Sequence, residues 1–488
     1  GTGGLSRVEI LRGSQSALYG SEAIGGVIDV TTFRPVEDGV SGRAGVEAGT
    51  AGTHTGELAA GLLTDRVELA FSASHSRSDG GFSARTGGVE DDGYALSMIA
   101  AHGAYQVTDT LRLGANLLWR RSYGEYDDTS TAELGTWSKS FQRGARVFAE
   151  LETGPVHHAF AFSRLVNDRV EMSGLYGPGD FDGSRNRFSY LGDWQAGDTL
   201  SFNWGYEDTR ETFATSYGEA GRVRTRALHA EALWSPAETL DLSFALRHDE
   251  HDMFGGKVSG RVAAAWRPAD DWTIRAVAGT GFRAPSLYEM YSGLGDPGLK
   301  PETSRSLELG VEHEFASGAT IQATVFDMRI RDRIDYDPSA TACGSLWGCY
   351  GQIDGETKSR GVELSGRADI APGWSLFGNY TYTDARDYRV SGVTRAARVP
   401  RHAATLGIEG AVTGRLSAAL ILRHSGDSHD PAGPLRDFTI ADVNFRYALG
   451  DTAEAYLRVE NLFDRDYHTA YGYNQPGRQV FVGVRTSF

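Results

Sequence analysis

From about residue 41 onward, apolar and polar side chains alternate along the chain in runs of 10 to 14 residues. Leu240, Leu242, Phe244 and Leu246 interleave with Asp241, Ser243, Ala245 and Arg247. Val362, Leu364, Ala368 and Ile370 interleave with Glu363, Ser365, Arg367 and Asp369, and Val480, Val482, Val484, Thr486 and Phe488 share one parity. A period of two predicts strands whose faces meet different surroundings. The spacers between the runs are of two alternating kinds. Tiny ones fall at residues 106–110, 152–155, 195–199, 235–239, 267–271, 317–320, 371–373 and 449–452. Long polar ones fall at residues 78–93, 122–139, 284–301, 335–357, 384–398 and 463–476. Short turns on one rim and long loops on the other predict an all-β, 22-stranded antiparallel transmembrane barrel, from residues 41–50 to residues 477–488.

Soluble propellers and sandwiches alternate as well, so two further features decide. The runs are long, whereas soluble strands average about 5–6 residues. Trp194, Trp234, Trp266, Trp272 and Trp374 all fall beside short turns, the placement of an interfacial girdle. No run approaches ~18 consecutive apolar residues, so spanning helices are not expected. A mean hydropathy of −0.35 agrees with strands that show lipid only every second residue.

Composition adds little to this picture except by exclusion. The 62 glycines and 43 Tyr and Phe residues suit turns and aromatic strands. With 48 basic and 64 acidic residues the net charge is −16, which argues against nucleic acid as a partner. Cys343 and Cys349, close together in a Gly-containing loop, are expected to form a disulfide in an oxidising compartment. The sequence lacks G-x-S-x-G, H-E-x-x-H and C-x-x-C patterns, so no enzyme is expected. It opens at Gly1 with neither a starting Met nor a signal peptide, and reads as a fragment lacking its N-terminal part.

Three segments carry a family resemblance. They are RVEILRGSQSALYGSEAIGGVIDVTT at residues 7–32, GFRAPSLYEMYSGLGDPGLKPE at residues 281–302, and VENLFDRDYHTAYGYNQPGRQVFVGVRTSF at residues 459–488. The chain resembles TonB-dependent outer-membrane receptors, with Ser14 standing where the family usually has Pro and Asp29 where it usually has Asn. The resemblance implies that residues 1–36 are the C-terminal part of a plug domain and residues 37–488 the barrel around it. It places the protein in the outer membrane of a Gram-negative bacterium, as a monomer among outer-membrane lipid and lipopolysaccharide. The TonB complex is the implied partner, through a segment expected upstream of Gly1.

Within the family the chain is most similar to vitamin B12 (cobalamin) transporters, in residues 283–302, in IDYD at residues 334–337 and in the C-terminal segment. Cobalamin is therefore the expected cargo, with a ferric-siderophore receptor or a passive outer-membrane pore as alternatives. Haem receptors usually carry a His in the segment matching residues 282–299, where this chain has none. The resemblance also implies that a plug arginine, here Arg12, bridges two barrel glutamates, here Glu308 and Glu363. Alternation independently points both carboxylates inward. Ligand contact is expected from the loop aromatics Tyr126, Tyr176, Tyr288, Tyr291, Trp347, Tyr350, Tyr471 and Tyr473. Cobalamin receptors order acidic loops with calcium, and Asp127, Asp128, Asp180 and Asp182 are the candidates here.

Overall fold

The computed structural model describes residues 4–88, 90–127, 135–173 and 177–488. Strands from Gly39–Gly49 to Gln479–Ser487 pair antiparallel with their neighbours along the chain, and the last pairs with the first, with Val484 opposite Val46. The sheet therefore closes on itself and leaves no edge to template aggregation. Among the described residues its 23 strand segments form 22 staves. Gly392–Arg395 and His402–Ala411 both pair with Trp374–Arg389 and so make one interrupted stave.

Burial is inverted relative to a soluble protein. Leu246 is 60% exposed, while Arg247, the next residue, is 3% exposed. The outward parity carries Leu307, Leu309, Val482 and Val484, and the inward parity carries Glu207, Arg247 and Asp249. Hydrocarbon outside and a polar filled lumen inside account for this arrangement, because each face is matched to its own solvent. At the short-turn rim the five tryptophans all fall on the outward face. Trp234 opposes Leu200 and Leu242, and Trp266 opposes Leu240 and Ile274.

The uninterrupted staves run from 8 residues at Ala453–Glu460 to 21 at Gly177–Gly197, a wider range than the alternation predicts. Polar residues on both faces let ladders continue past the lipid, where backbone pairing still satisfies N–H and C=O groups. Several outer connections are correspondingly tight, as between Thr215 and Ala220 and between His251 and Gly255. The segment expected as a loop at residues 384–398 is largely strand. The one at residues 335–357 contains a hairpin pairing Ile334–Asp337 with Cys349–Gln352.

Inside the barrel, Leu5–Arg12 pairs with Gly26–Thr32, and a one-turn helix, Ser16–Tyr19, lies between them. This element touches the wall on many sides. Arg43 donates to the Leu5 carbonyl, Arg34 to Asn116 Oδ1 at 2.9 Å, and Arg185 to Glu22 at 3.2 Å. Contacts with staves so widely spaced around the sheet place it in the lumen.

Candidate functional site

The seam between the inner element and the wall is built from charge and from missing side chains. Arg12 Nη1 donates to Glu363 Oε2. Glu308 is set against Gly13 instead of Arg12, and a side chain at position 13 would collide with its carboxylate. One arm of the expected bridge is thus a hydrogen-bonded ion pair and the other a steric contact. Below Gly20 lies a charged network that sequence reading missed. Arg247 holds Glu207 at 2.7 Å and Asp249 at 2.9 Å, and Arg187 also reaches Glu207. Arg247, Asp249 and Glu207 are buried, so mutual pairing is what makes their desolvation tolerable. Alternation does point all three inward, which was the available signal.

At the long-loop rim a wall of aromatic rings closes around Tyr288. Its ring centroid lies 6.2 Å from Phe181, 5.8 Å from Phe213 and 6.0 Å from Tyr350, which in turn is 5.6 Å from Tyr336. Tyr288 sits on a short helix, Leu287–Tyr291, started by a capping box in which Ser286 accepts from the Glu289 N–H and Glu289 accepts from the Ser286 N–H. Arg283 clamps this helix through Glu289 at 3.0 Å and the wall through Glu302 at 2.7 Å. Burial alone would raise the Glu289 carboxyl, but Arg283 and the Ser286 N–H hold it below the usual range. Burial pushes the Tyr288 and Tyr350 hydroxyls up. Between this wall and the inner element is a cavity of about 460 Å³ bordered by Ser21, Glu22, Arg185, Phe213, His251 and Leu287.

The arginines around that cavity, and Arg169 over the Phe181 ring of the aromatic wall, are already paired. Arg185 meets Glu211 at 2.6 Å and Glu22 at 3.2 Å, Arg169 meets Glu171 at 3.2 Å, and Arg283 has its two glutamates.

The other aromatic candidates scatter. Tyr291 packs on Gly221 and points its hydroxyl at Met253 Sδ, 3.5 Å away. Trp347 is 62% exposed at the tip of the loop closed by the Cys343–Cys349 disulfide. Tyr126 lies beside the acidic loop, its N–H on the Thr136 carbonyl. Tyr471 packs on Gly433, and Tyr473 bridges to Arg85. Tyr176 and Asp128 lie outside the described residues.

The acidic candidates do not assemble as the sequence predicts. Asp180 and Asp182 belong to the outward face of Gly177–Gly197, opposite Val170 and Asp168, because that strand continues where a loop was expected. Asp127 instead meets Glu90 and Asp92, with ligand oxygens within 4.8 Å of one another. Asp127 Oδ2 accepts from the Arg85 N–H at 2.8 Å and from Ser83 at 3.2 Å, while Oδ1 is buried with no hydrogen-bond partner. Burial and the neighbouring Asp127 and Asp92 raise the Glu90 carboxyl. An all-carboxylate donor set with an unsatisfied buried oxygen fits a hard cation such as calcium.

The family described as TonB dependent receptor-like, beta-barrel matches residues 41–462. A vitamin B12 transporter, BtuB, of Photobacterium profundum is 27% identical over 506 residues, covering 99% of this chain and 80% of the relative. The iron-regulated outer membrane virulence protein of Vibrio cholerae serotype O1 is 26% identical, with the same coverage of both chains. Among solved structures, the siderophore receptor PirA of Acinetobacter baumannii superposes with a TM-score of 0.83 at 16% identity, covering 99% of this chain and 85% of that one. The FrpB iron transporter of Neisseria meningitidis gives 0.83 at 15% identity, covering 100% and 88%. At such identities the superpositions speak for the fold alone.

Proposed function

The chain belongs to the TonB-dependent receptor family of Gram-negative outer-membrane barrels, and from that premise we propose that it imports cobalamin. Residues 1–36 serve in this reading as the C-terminal part of the plug, and residues 37–488 as the barrel that holds it. The ligand enters between the long loops and rests on the aromatic wall around Tyr288, above Ser21 and Glu22. TonB-driven movement of the plug then opens the seam at Arg12, Gly13 and the Ser16–Tyr19 helix.

The observation that carries the cargo is the pairing of Arg169, Arg185 and Arg283 with carboxylates. A polyanionic iron chelate would call for unpaired cations at the mouth. Broad aromatic faces with neutralised charge suit a large neutral corrin, whose area is buried at low entropic cost. The name of the Photobacterium relative supports the same reading. The Vibrio relative, named for iron regulation, keeps a ferric siderophore as the second reading. Calcium is the cofactor that Glu90, Asp92 and Asp127 would hold, tying residues 79–93 to the strand end at Glu125.

Titration of the purified protein with cyanocobalamin and with ferric siderophores tests the cargo. Saturable binding of cyanocobalamin is expected. Binding of an iron chelate alone would overturn the proposal.

A further inference from the structure

Four cations stand in register on the outward face of the wall. Arg305 lies directly opposite Arg329, Arg329 opposite Lys358, and Lys358 opposite Arg386, so the row crosses four consecutive staves. The face is the lipid-facing one, since Leu307 and Val325 share its parity and are 61% and 48% exposed. The row lies near the long-loop ends of its strands, which stop at Glu302, Arg331, Gly355 and Arg389. Leu309, Val325, Val362 and Tyr382 form a wholly uncharged rung four residues further down. At the strand rise this separates the cations from it by about 13 Å, which sets them at headgroup level above the apolar band.

Like charges placed directly opposite one another destabilise a sheet. Three of the four are partly relieved on their own strands: Arg329 by Asp327 at 3.0 Å, Lys358 by Glu356 at 2.7 Å, and Arg386 by Asp384 at 2.8 Å. Arg305 has no such partner among the described residues. With Arg331 and Arg360 on the same face, six cations meet three carboxylates, in a chain where acids outnumber bases 64 to 48. The local charge is thus opposite in sign to that of the whole. Beside Arg305 and Arg329 the surface dips into a groove of about 530 Å³ whose border includes Val258, Thr280 and Leu307. Cations above and apolar side chains below match an amphiphile with an anionic head.

We propose that this face binds a phosphorylated lipid headgroup of the outer leaflet, the chemistry that lipopolysaccharide presents there. Its phosphates lie between Arg305 and Arg329 and along Lys358 and Arg386, and its acyl chains run down Leu307, Leu309 and Val325. The interaction neutralises the row and fixes the barrel's height against the outer leaflet.

The test is lipid retention by the full chain in detergent, read by native mass spectrometry with bisphosphorylated lipid A as the probe. Replacing the two arginines beside the groove (R305Q with R329Q) removes two surface cations and is expected to weaken retention about 30-fold. The R305K and R329K pair keeps the charge and should retain the lipid. Dephosphorylated lipid A should be held as weakly as the probe is by the glutamine variant, and excess inorganic phosphate should not displace the bound lipid. Equal retention by the glutamine variant overturns the proposal, as does equal retention of dephosphorylated lipid A. Displacement by inorganic phosphate would reveal an ion site, and overturns it too.

Discussion

Gly281 of the wall and Ser16 of the inner helix meet with no room for a methyl group between them. A Cβ at position 281 would lie 2.6 Å from Ser16 Oγ and 2.5 Å from Ser14 Oγ. Both hydroxyls are buried without hydrogen-bond partners, as is that of Ser304. The seam is therefore close but weakly bonded, which suits an element that must leave its seat. Gly281→Val is expected to unseat the inner segment while the barrel stays closed. Proteolysis should then reach residues 13–25, and single-channel conductance should rise. An unchanged digestion pattern would argue against the close seam.

Gly13 and Glu363 should differ in how much they matter. Arg12 is 68% exposed in its pair with Glu363, so the pair contributes about 1 kcal/mol or less. Gly13 has φ +71°, and any side chain there meets Glu308. A non-glycine residue in this region costs about 1–2 kcal/mol even without that collision. Gly13→Ala is thus expected to loosen the inner segment more than Glu363→Gln, measured by hydrogen exchange of residues 5–32.

Much of the fold is legible because one physical rule repeats along the chain. Alternation alone places Glu308 and Glu363 inward and Leu307 and Leu309 outward, and the tryptophans mark the rim. It does not say where pairing stops. Asp180 and Asp182 look like loop residues, yet their strand runs on beyond the lipid, and its backbone pairing does not depend on side-chain polarity. His248 and Glu250 are close to His251 in sequence, but the same alternation puts the first two outside and His251 inside, stacked on Phe254. The meeting of Glu90 and Asp92 with Asp127 depends on how two loops pack. The segment around Tyr473 helps to hold one of them, through Arg85 and the Asn474–Ala84 hydrogen bond. No local pattern encodes a contact of that range.

The clamp on the Tyr288 helix should respond to acid. The Glu289 carboxyl is held below its ordinary value of 4.5, so its contribution to loop order is complete above that value. The contribution is lost as the pH falls through the depressed value. Hydrogen-exchange protection across residues 284–301, relative to the intrinsic rate at each pH, should stay constant from neutral pH down to about 4.5 and fall below it. Glu289→Gln should show fast exchange at neutral pH as well.

Calcium should order residues 79–93. Chelation is expected to speed hydrogen exchange there, and Asp127→Asn should exchange rapidly with or without the ion. Asp180→Asn, on the outward face, should leave the response intact. Equal sensitivity at both positions would contradict the grouping of Glu90, Asp92 and Asp127.

The alternation of surroundings along a single strand can be read directly on Glu302–Glu314. Nitroxide labels attached in turn at Ser306, Leu307, Glu308 and Leu309, in protein reconstituted into bilayers, report collisions with membrane-dissolved oxygen and with a water-soluble nickel chelate. Labels at Leu307 and Leu309 should respond to oxygen, while those at Ser306 and Glu308 should be shielded from it and packed against the filled lumen. Four labels reached equally from water, or an oxygen response without a period of two, would contradict a lipid-facing barrel.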